Sequence, residues 1–183
     1  MHLTGRLTKR VTNSPAVTLA VSALAWGVSS GIALGVLWWR LAPRVPLVVR
    51  PEGSSPQNYQ PDGYLGADLG FCVLAVLAGT LLAIGLVTIR RQQVLAVLGW
   101  GLLAGIAGSL LMWQVGVRLG SVDIAGLVAT TEVEAVVDAP LALSMPAVLL
   151  AWPISTAAVI VVISVIDWLT AVRVARLIHP GAR

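Results

Sequence analysis

Acidic side chains are the first candidates for chemistry in this sequence, and their spacing limits what they can do. Asp68 and Asp167 each lie at the end of a long apolar run, while Glu132 and Glu134 are two positions apart. General acid–base catalysis needs two groups that face one substrate. Positions two apart on a helix face different directions, so Glu132 and Glu134 are a poor acid–base pair. The acidic residues therefore do not predict a catalytic site.

Nucleophilic and metal-ligating side chains are equally sparse. Cys72 is the only cysteine, and the two histidines, His2 and His179, lie near the two ends of the chain. A single cysteine cannot form a CxxC pair or an internal disulfide, and histidines outside the apolar runs cannot hold a haem within a membrane. The sequence also contains no phosphate-binding loop and no GxSxG motif. We expect no cofactor, no metal site and no enzymatic activity.

The composition indicates what kind of element must hold these residues. Hydrophobic residues make up 57% of the 183 positions and charged residues only 11%, with a mean hydropathy of +0.90. Ordinary soluble domains are about 25% charged. About 20 apolar residues in a helix cross the hydrocarbon core, and lipid-exposed backbone must be helical. We predict one all-α membrane domain over residues 1–183, a bundle of four transmembrane helices at 16–39, 69–89, 94–117 and 146–168.

The charges predict how these helices are oriented. The side shared by both termini and the 90–93 connection carries eight basic residues against one acidic residue. Lys and Arg in short loops mark the cytoplasmic side, so we expect a multi-pass plasma-membrane protein with cytoplasmic N- and C-termini. The first apolar run follows Arg6, Lys9 and Arg10 and could be a signal peptide, but its length favours an uncleaved anchor. The pI of about 10.2 then reflects attraction to the lipid bilayer, and no nucleic-acid partner is expected.

The connections between the helices differ in length. The 90–93 connection is minimal, so we expect the second and third helices to form a tight hairpin. The outer loop at 40–68 contains an extended segment at 45–49, where Pro46 favours an edge strand over a central one, and turn signals at 53–55 and 61–63. The outer loop at 118–138 predicts a short amphipathic helix from Ile124 to about Val137. That helix would lie on the membrane surface or act as a lid over a site.

Several residues at the helix ends could contact headgroups or a partner. Aromatic residues favour the membrane interface, which makes Trp38 and Trp39 candidates there. Asp68 could pair with Arg118 across the outer rim, and Asp167 with Arg173 or Arg176 at the cytoplasmic end. The possible rim or partner contacts are Trp38, Trp39, Arg44, Asp68, Trp113 and Arg118.

Small residues recur one helical turn apart and predict close helix packing. They are Gly27, Gly31 and Gly35 in the first helix, Gly101, Gly105 and Ser109 in the third, and Ala75, Gly79 and Ala83 in the second. These faces could pack within the bundle or against a second copy. The first and third helices also share eight identities over 19 positions at an offset of 74 residues, which would fit a duplicated hairpin or chance. Pro153 should kink the fourth helix and free a carbonyl near Leu149.

The sequence resembles a family of small four-span actinobacterial membrane proteins of uncharacterised function, some of which are labelled transporter permeases. The resemblance is carried by the segments 37–43, 48–49, 62–63, 118–120, 139–141 and 148–153, together with the glycine-rich third helix and its Trp113. It implies no catalytic or binding residues. We therefore expect a non-enzymatic accessory or assembly subunit of a membrane complex, acting through its two outer loops on a membrane or envelope partner. The alternative is a small homodimeric permease or a lipid- or ligand-binding bundle.

Overall fold

The fold is that of a helical bundle with a small β-sheet at one end. The computed structural model describes residues 15–50, 53–56, 61–91, 93–130 and 135–178. The elements in chain order are α1 (Pro15–Leu41), β1 (Pro46–Arg50), β2 (Gly53–Pro56), α2 (Pro61–Ile89), α3 (Val94–Leu119), α4 (Ile124–Thr130), β3 (Ala135–Asp138), a 3-10 helix (Pro146–Leu150) and α5 (Ala151–Ile178).

Four helices are long and apolar enough to cross a membrane, which confirms the predicted class of fold. Their ends differ from the predicted spans in two places. Helix α2 begins at Pro61, because proline is accepted in the first turn of a helix, so the predicted turn at 61–63 is wrong. Helix α5 continues beyond residue 168 to Ile178, because the residues that follow are good helix formers.

The order of the helices around the bundle differs from the expected hairpins. Helix α1 packs against α3, α3 against α5, α5 against α2, and α2 against α1. Helices α2 and α3 follow each other in the chain. However, α2 packs most extensively against α5, and α3 packs most extensively against α1. The predicted short connection is present and the two helices contact each other, but less extensively than those of a tight hairpin would. A short connection constrains only the two helix ends it joins, whereas the small-residue faces determine which helices approach along their length.

The closest approach is between the parallel helices α1 and α3. A Cβ placed on Gly27 would lie 2.5 Å from the carbonyl oxygen of Ala104, and one on Gly31 would lie 2.6 Å from that of Gly108. A Cβ on Gly35 would meet the carbonyl oxygen of Met112 at 2.8 Å. These distances are too short for any side chain, so glycine is required at all three positions. We call this contact, formed by Gly27, Gly31 and Gly35 against α3, the seam.

The glycines of α3 that correspond to Gly27 and Gly31 in the repeated pattern, 74 positions later, face a different helix. A Cβ on Gly101 would lie 3.1 Å from Thr156, and one on Gly105 would lie 3.1 Å from the Cα of Pro153. These positions of α3 therefore face α5, which runs antiparallel to α3, whereas the corresponding glycines of α1 face a parallel helix. The two copies of the repeated pattern thus have different surroundings.

The start of the fourth span shows the effect of Pro153. The chain forms a 3-10 helix from Pro146 to Leu150 and becomes α-helical at Ala151. Ser109 is buried, and its hydroxyl donates a 2.7 Å hydrogen bond to the carbonyl oxygen of Leu149. The carbonyl that a proline leaves without its usual partner is thereby satisfied from α3.

The loops at 40–68 and 118–138 combine into one three-stranded antiparallel sheet of order β2–β1–β3. Strand β1 is therefore central, and the prediction of an edge strand is wrong. Pro46 is tolerated because it is the first residue of the strand, opposite Asp138. Gly53 has a φ of 145°, which favours glycine, and it starts strand β2 where only a turn was expected.

The second outer loop also differs from its prediction. Helix α4 ends at Thr130, and residues 135–138 form strand β3 instead of the last turns of a helix. Val136 and Val137 are β-branched and fit a sheet, and β1 offers them a partner that lies almost ninety residues earlier in the chain.

Candidate functional site

The end of the bundle next to the sheet contains several buried polar contacts. Trp38 lies at its centre and links three helices. Trp38 follows Gly35 on the buried face of α1 and is fully buried. Its indole N–H donates a 2.9 Å hydrogen bond to the carbonyl oxygen of Ala67 in α2. Its ring meets Phe71 edge-on, with 5.2 Å between centroids, and contacts the position of Gly116 in α3. The prediction of an interfacial or partner contact for Trp38 is therefore wrong.

The Asp68 carboxylate is the second support at this end. Asp68 is only 2% exposed, and its oxygens accept hydrogen bonds from the backbone N–H groups of Ser144 at 3.1 Å and Met145 at 2.9 Å. These donors immediately precede the 3-10 helix, so Asp68 fixes the backbone that leads into it. Among the described residues, Asp68 forms no ion pair with Arg118. The predicted pairing of Asp68 with Arg118 is therefore wrong, because the fold brings the backbone of residues 144–145 to the Asp68 carboxylate.

The segment at 139–145 connects the sheet to these supports. The backbone N–H of Ala139 donates to the carbonyl of Val45 at 2.8 Å, and that of Leu141 donates to the carbonyl of Gly120 at 3.1 Å. Ala139 and Leu141 are both buried. The segment is therefore fixed to the sheet at one end, to the end of α3 in the middle, and to Asp68 at the other end.

A polar pocket of about 320 Å³ opens beside this segment. It is lined by Trp39, Arg40, Ala42, Arg44 and Asp138. The Arg40 guanidinium lies 4.9 Å from the centroid of the Trp39 ring, a cation–π contact. Arg44 donates a 3.2 Å hydrogen bond to the carbonyl oxygen of Trp39. The indole N–H of Trp39 is buried and has no acceptor among the described residues.

The opposite end of the bundle carries an exposed ion pair. Arg91 donates a 2.8 Å hydrogen bond from Nε to one carboxylate oxygen of Asp167 and a second from its terminal nitrogen to the other. The hydrogen bond to Asp167, with its negative charge, raises the pKa of Arg91 above the usual value. The predicted pairing of Asp167 with Arg173 or Arg176 is therefore wrong. The predicted partners lie six and nine positions later in the same helix, whereas the observed partner comes from the α2–α3 connection.

The remaining predicted rim residues have varied surroundings. Arg118 is exposed at the end of α3, and Trp113 is half-buried against the core cluster that contains Trp38. Glu132 and Glu134 lie outside the described residues. No group of three or more His, Cys, Asp or Glu residues that could hold a metal occurs in the part of the chain that the structure describes.

The hydrogen-bond partners of two supporting residues were not predicted from the sequence. Asp68 was expected to pair with a side chain, and its true partners are backbone groups that no side-chain pattern identifies. Thr156 is fully buried and donates hydrogen bonds to the carbonyl oxygens of Gly79 and Trp152 at 3.2 and 3.0 Å. The sequence indicated the close contact between Thr156 and Gly79 only through Gly79, which belongs to a row of small residues on α2.

Comparison of the chain with protein-family models, curated protein sequences and solved structures gives no match in any of the three. The geometry of the molecule must therefore carry the functional interpretation.

Proposed function

We propose that the protein is a non-catalytic accessory subunit of a membrane complex and that its sheet-bearing end is a docking platform for a membrane or envelope partner. The observation that carries this proposal is the joining of two distant loops into one sheet. Buried Trp38 and Asp68 connect the adjoining segments to three of the four spanning helices. The loops therefore form one supported unit in place of two independent flexible connections.

A supported platform has a physical advantage in binding. A surface that is already ordered loses less conformational entropy when a partner binds. Strand β3 neighbours only β1, so its other edge is unpaired within the described sheet. Such an edge can accept a strand from a partner, and Val136 on β3 is 56% exposed. These features favour a protein partner that adds to the sheet or covers it.

The cellular setting is part of the same proposal. The four apolar helices indicate a membrane-embedded protein. The plasma membrane and cytoplasmic termini are proposed from the excess of basic residues on the side away from the sheet. The actinobacterial family is proposed from the sequence resemblance alone. In this arrangement the platform faces the cell envelope.

A purification in mild detergent tests the proposal. The tagged native protein, a Val136→Lys variant and a Leu103→Ala control are purified in parallel, and the co-purifying proteins are quantified. Leu103 is an exposed apolar residue of α3, far in sequence from the sheet. We expect one specific partner with the native protein and the control, and its loss with Val136→Lys. Recovery of the protein alone, or equal recovery of partners with Val136→Lys, would contradict the proposal.

A further inference from the structure

The polar pocket at the end of α1 combines charges of both signs in one place. Arg40 lies in the last turn of α1, Arg44 follows four positions later beyond the end of the helix, and Asp138 is the last residue of β3. All three line a space of about 320 Å³. The pocket therefore lies where the end of a spanning helix meets the sheet.

These charges do not neutralise one another. Among the described residues, no ion pair within 4.0 Å joins Asp138 to Arg40 or to Arg44. Arg40 contacts the Trp39 ring and Arg44 uses one nitrogen on a backbone carbonyl. Each guanidinium has further donors, so donors remain for a bound group.

The position of the pocket, at the end of a helix that is apolar enough to cross a membrane, favours a lipid headgroup as its ligand. Tryptophan and arginine at the end of an apolar helix are typical of the headgroup region. Two guanidinium groups match the oxygens of a phosphate. A simple anion would leave the Asp138 carboxylate without a partner, whereas a ligand with an ammonium group beside its phosphate would pair with the charges of both signs.

We propose that this pocket binds a phosphodiester that carries a neighbouring primary ammonium, the chemistry of an ethanolamine phospholipid headgroup. Arg40 and Arg44 contact the phosphate, and Asp138 accepts hydrogen bonds from the ammonium. The proposal does not rest on the docking function: its ligand is a headgroup at the end of α1, and β3, whose last residue is Asp138, is the one element common to the two sites.

Lipid titration of the purified full-length protein in detergent, followed by native mass spectrometry, tests this assignment. The probes are short-chain phosphatidylethanolamine and phosphatidylglycerol, with soluble glycerophosphoethanolamine as a competitor. We expect phosphatidylethanolamine to bind more tightly than phosphatidylglycerol. Competition by glycerophosphoethanolamine would identify a soluble diester as sufficient, and its absence would show that the site needs the lipid.

Substitutions test separately which residues bind the phosphate and which residue binds the ammonium group. We expect Arg40→Gln with Arg44→Gln to weaken phosphatidylethanolamine binding by about tenfold or more. We expect Asp138→Asn to remove the preference over phosphatidylglycerol. Arg118→Gln is the matched control, since this exposed arginine lies at the end of α3 but does not line the pocket. Arg40→Gln alone keeps the Arg44 hydrogen bond to Trp39 and serves as the test if the double variant fails to fold.

Three results would overturn the proposal. The first is equal binding of the two lipids by the native protein. The second is unchanged binding by the arginine variants, and the third is a preference for ethanolamine that survives Asp138→Asn.

Discussion

Substitution of Gly31 by alanine should destabilise the bundle, because this residue lies in the middle of the close contact between α1 and α3. The added methyl carbon would lie 2.6 Å from the carbonyl oxygen of Gly108 and 3.0 Å from its Cα. Both neighbours are backbone atoms of a helix and cannot rotate away. An ordinary van der Waals contact begins near 3.4 Å, so the two helices must separate by about 0.8 Å at this point.

The expected change in the free energy of unfolding on Gly31→Ala is the difference between two opposing effects. Overpacking of a well-packed contact costs about 1–3 kcal/mol, and loss of close contact also weakens the Gly27 and Gly35 approaches on the same seam. Alanine recovers up to about 1 kcal/mol of helix propensity relative to glycine. We expect a net loss of about 2 kcal/mol in the free energy of unfolding.

Reversible unfolding in mixed micelles, followed by tryptophan fluorescence, measures this change. Gly99→Ala is the matched control, because a Cβ at Gly99 meets nothing within 4 Å, and it should be neutral or slightly stabilising. We also expect the double variant Gly27→Ala with Gly31→Ala to cost less than the sum of the single variants, since both methyls meet the backbone of α3 and the first already separates the two helices. Equal unfolding free energies for Gly31→Ala and Gly99→Ala would refute the assignment of this seam.

Three further substitutions test the polar contacts by the same unfolding assay. Asp68→Asn should lower the free energy of unfolding by about 1–2 kcal/mol, because an amide cannot accept both backbone hydrogen bonds; an unchanged value would contradict the role of Asp68 in fixing residues 144–145. Ser109→Ala should cost about 0.6–1.5 kcal/mol, because the Leu149 carbonyl loses its partner, and a stabilised variant would show that this contact is dispensable. Arg91→Gln should leave the unfolding temperature nearly unchanged at physiological salt, since Arg91 and Asp167 form an exposed pair; a large drop would show that this ion pair holds the bundle together.

The four spanning helices could be predicted because charge-free runs of this length have few alternatives. The sheet could not be predicted in the same way. Strand β3 follows a helical pattern that begins at Ile124, and its partner β1 is distant in the chain, so local spacing favours a longer helix. The proline at the start of β1 indicated an edge, although proline at the first position of a central strand is equally acceptable.

The buried supports show a second limit of the sequence pattern. Trp38 and Trp39 are adjacent and both resemble interfacial residues, but neighbouring helical positions point in different directions. Trp38 continues the face of Gly27, Gly31 and Gly35, and this spacing was a signal for burial. Asp68 gave no comparable signal, because its partners are backbone groups of a loop that the fold brings to it.

Site-specific photo-crosslinking in cells tests the docking platform most directly. A photoreactive residue replaces Val136 on the exposed surface of β3, and the control places it at Ile106, an exposed apolar residue of α3. The docking account predicts a discrete adduct with one membrane or envelope protein from Val136 and none with that protein from Ile106. No protein adduct from Val136, or the same adducts from both positions, would contradict it.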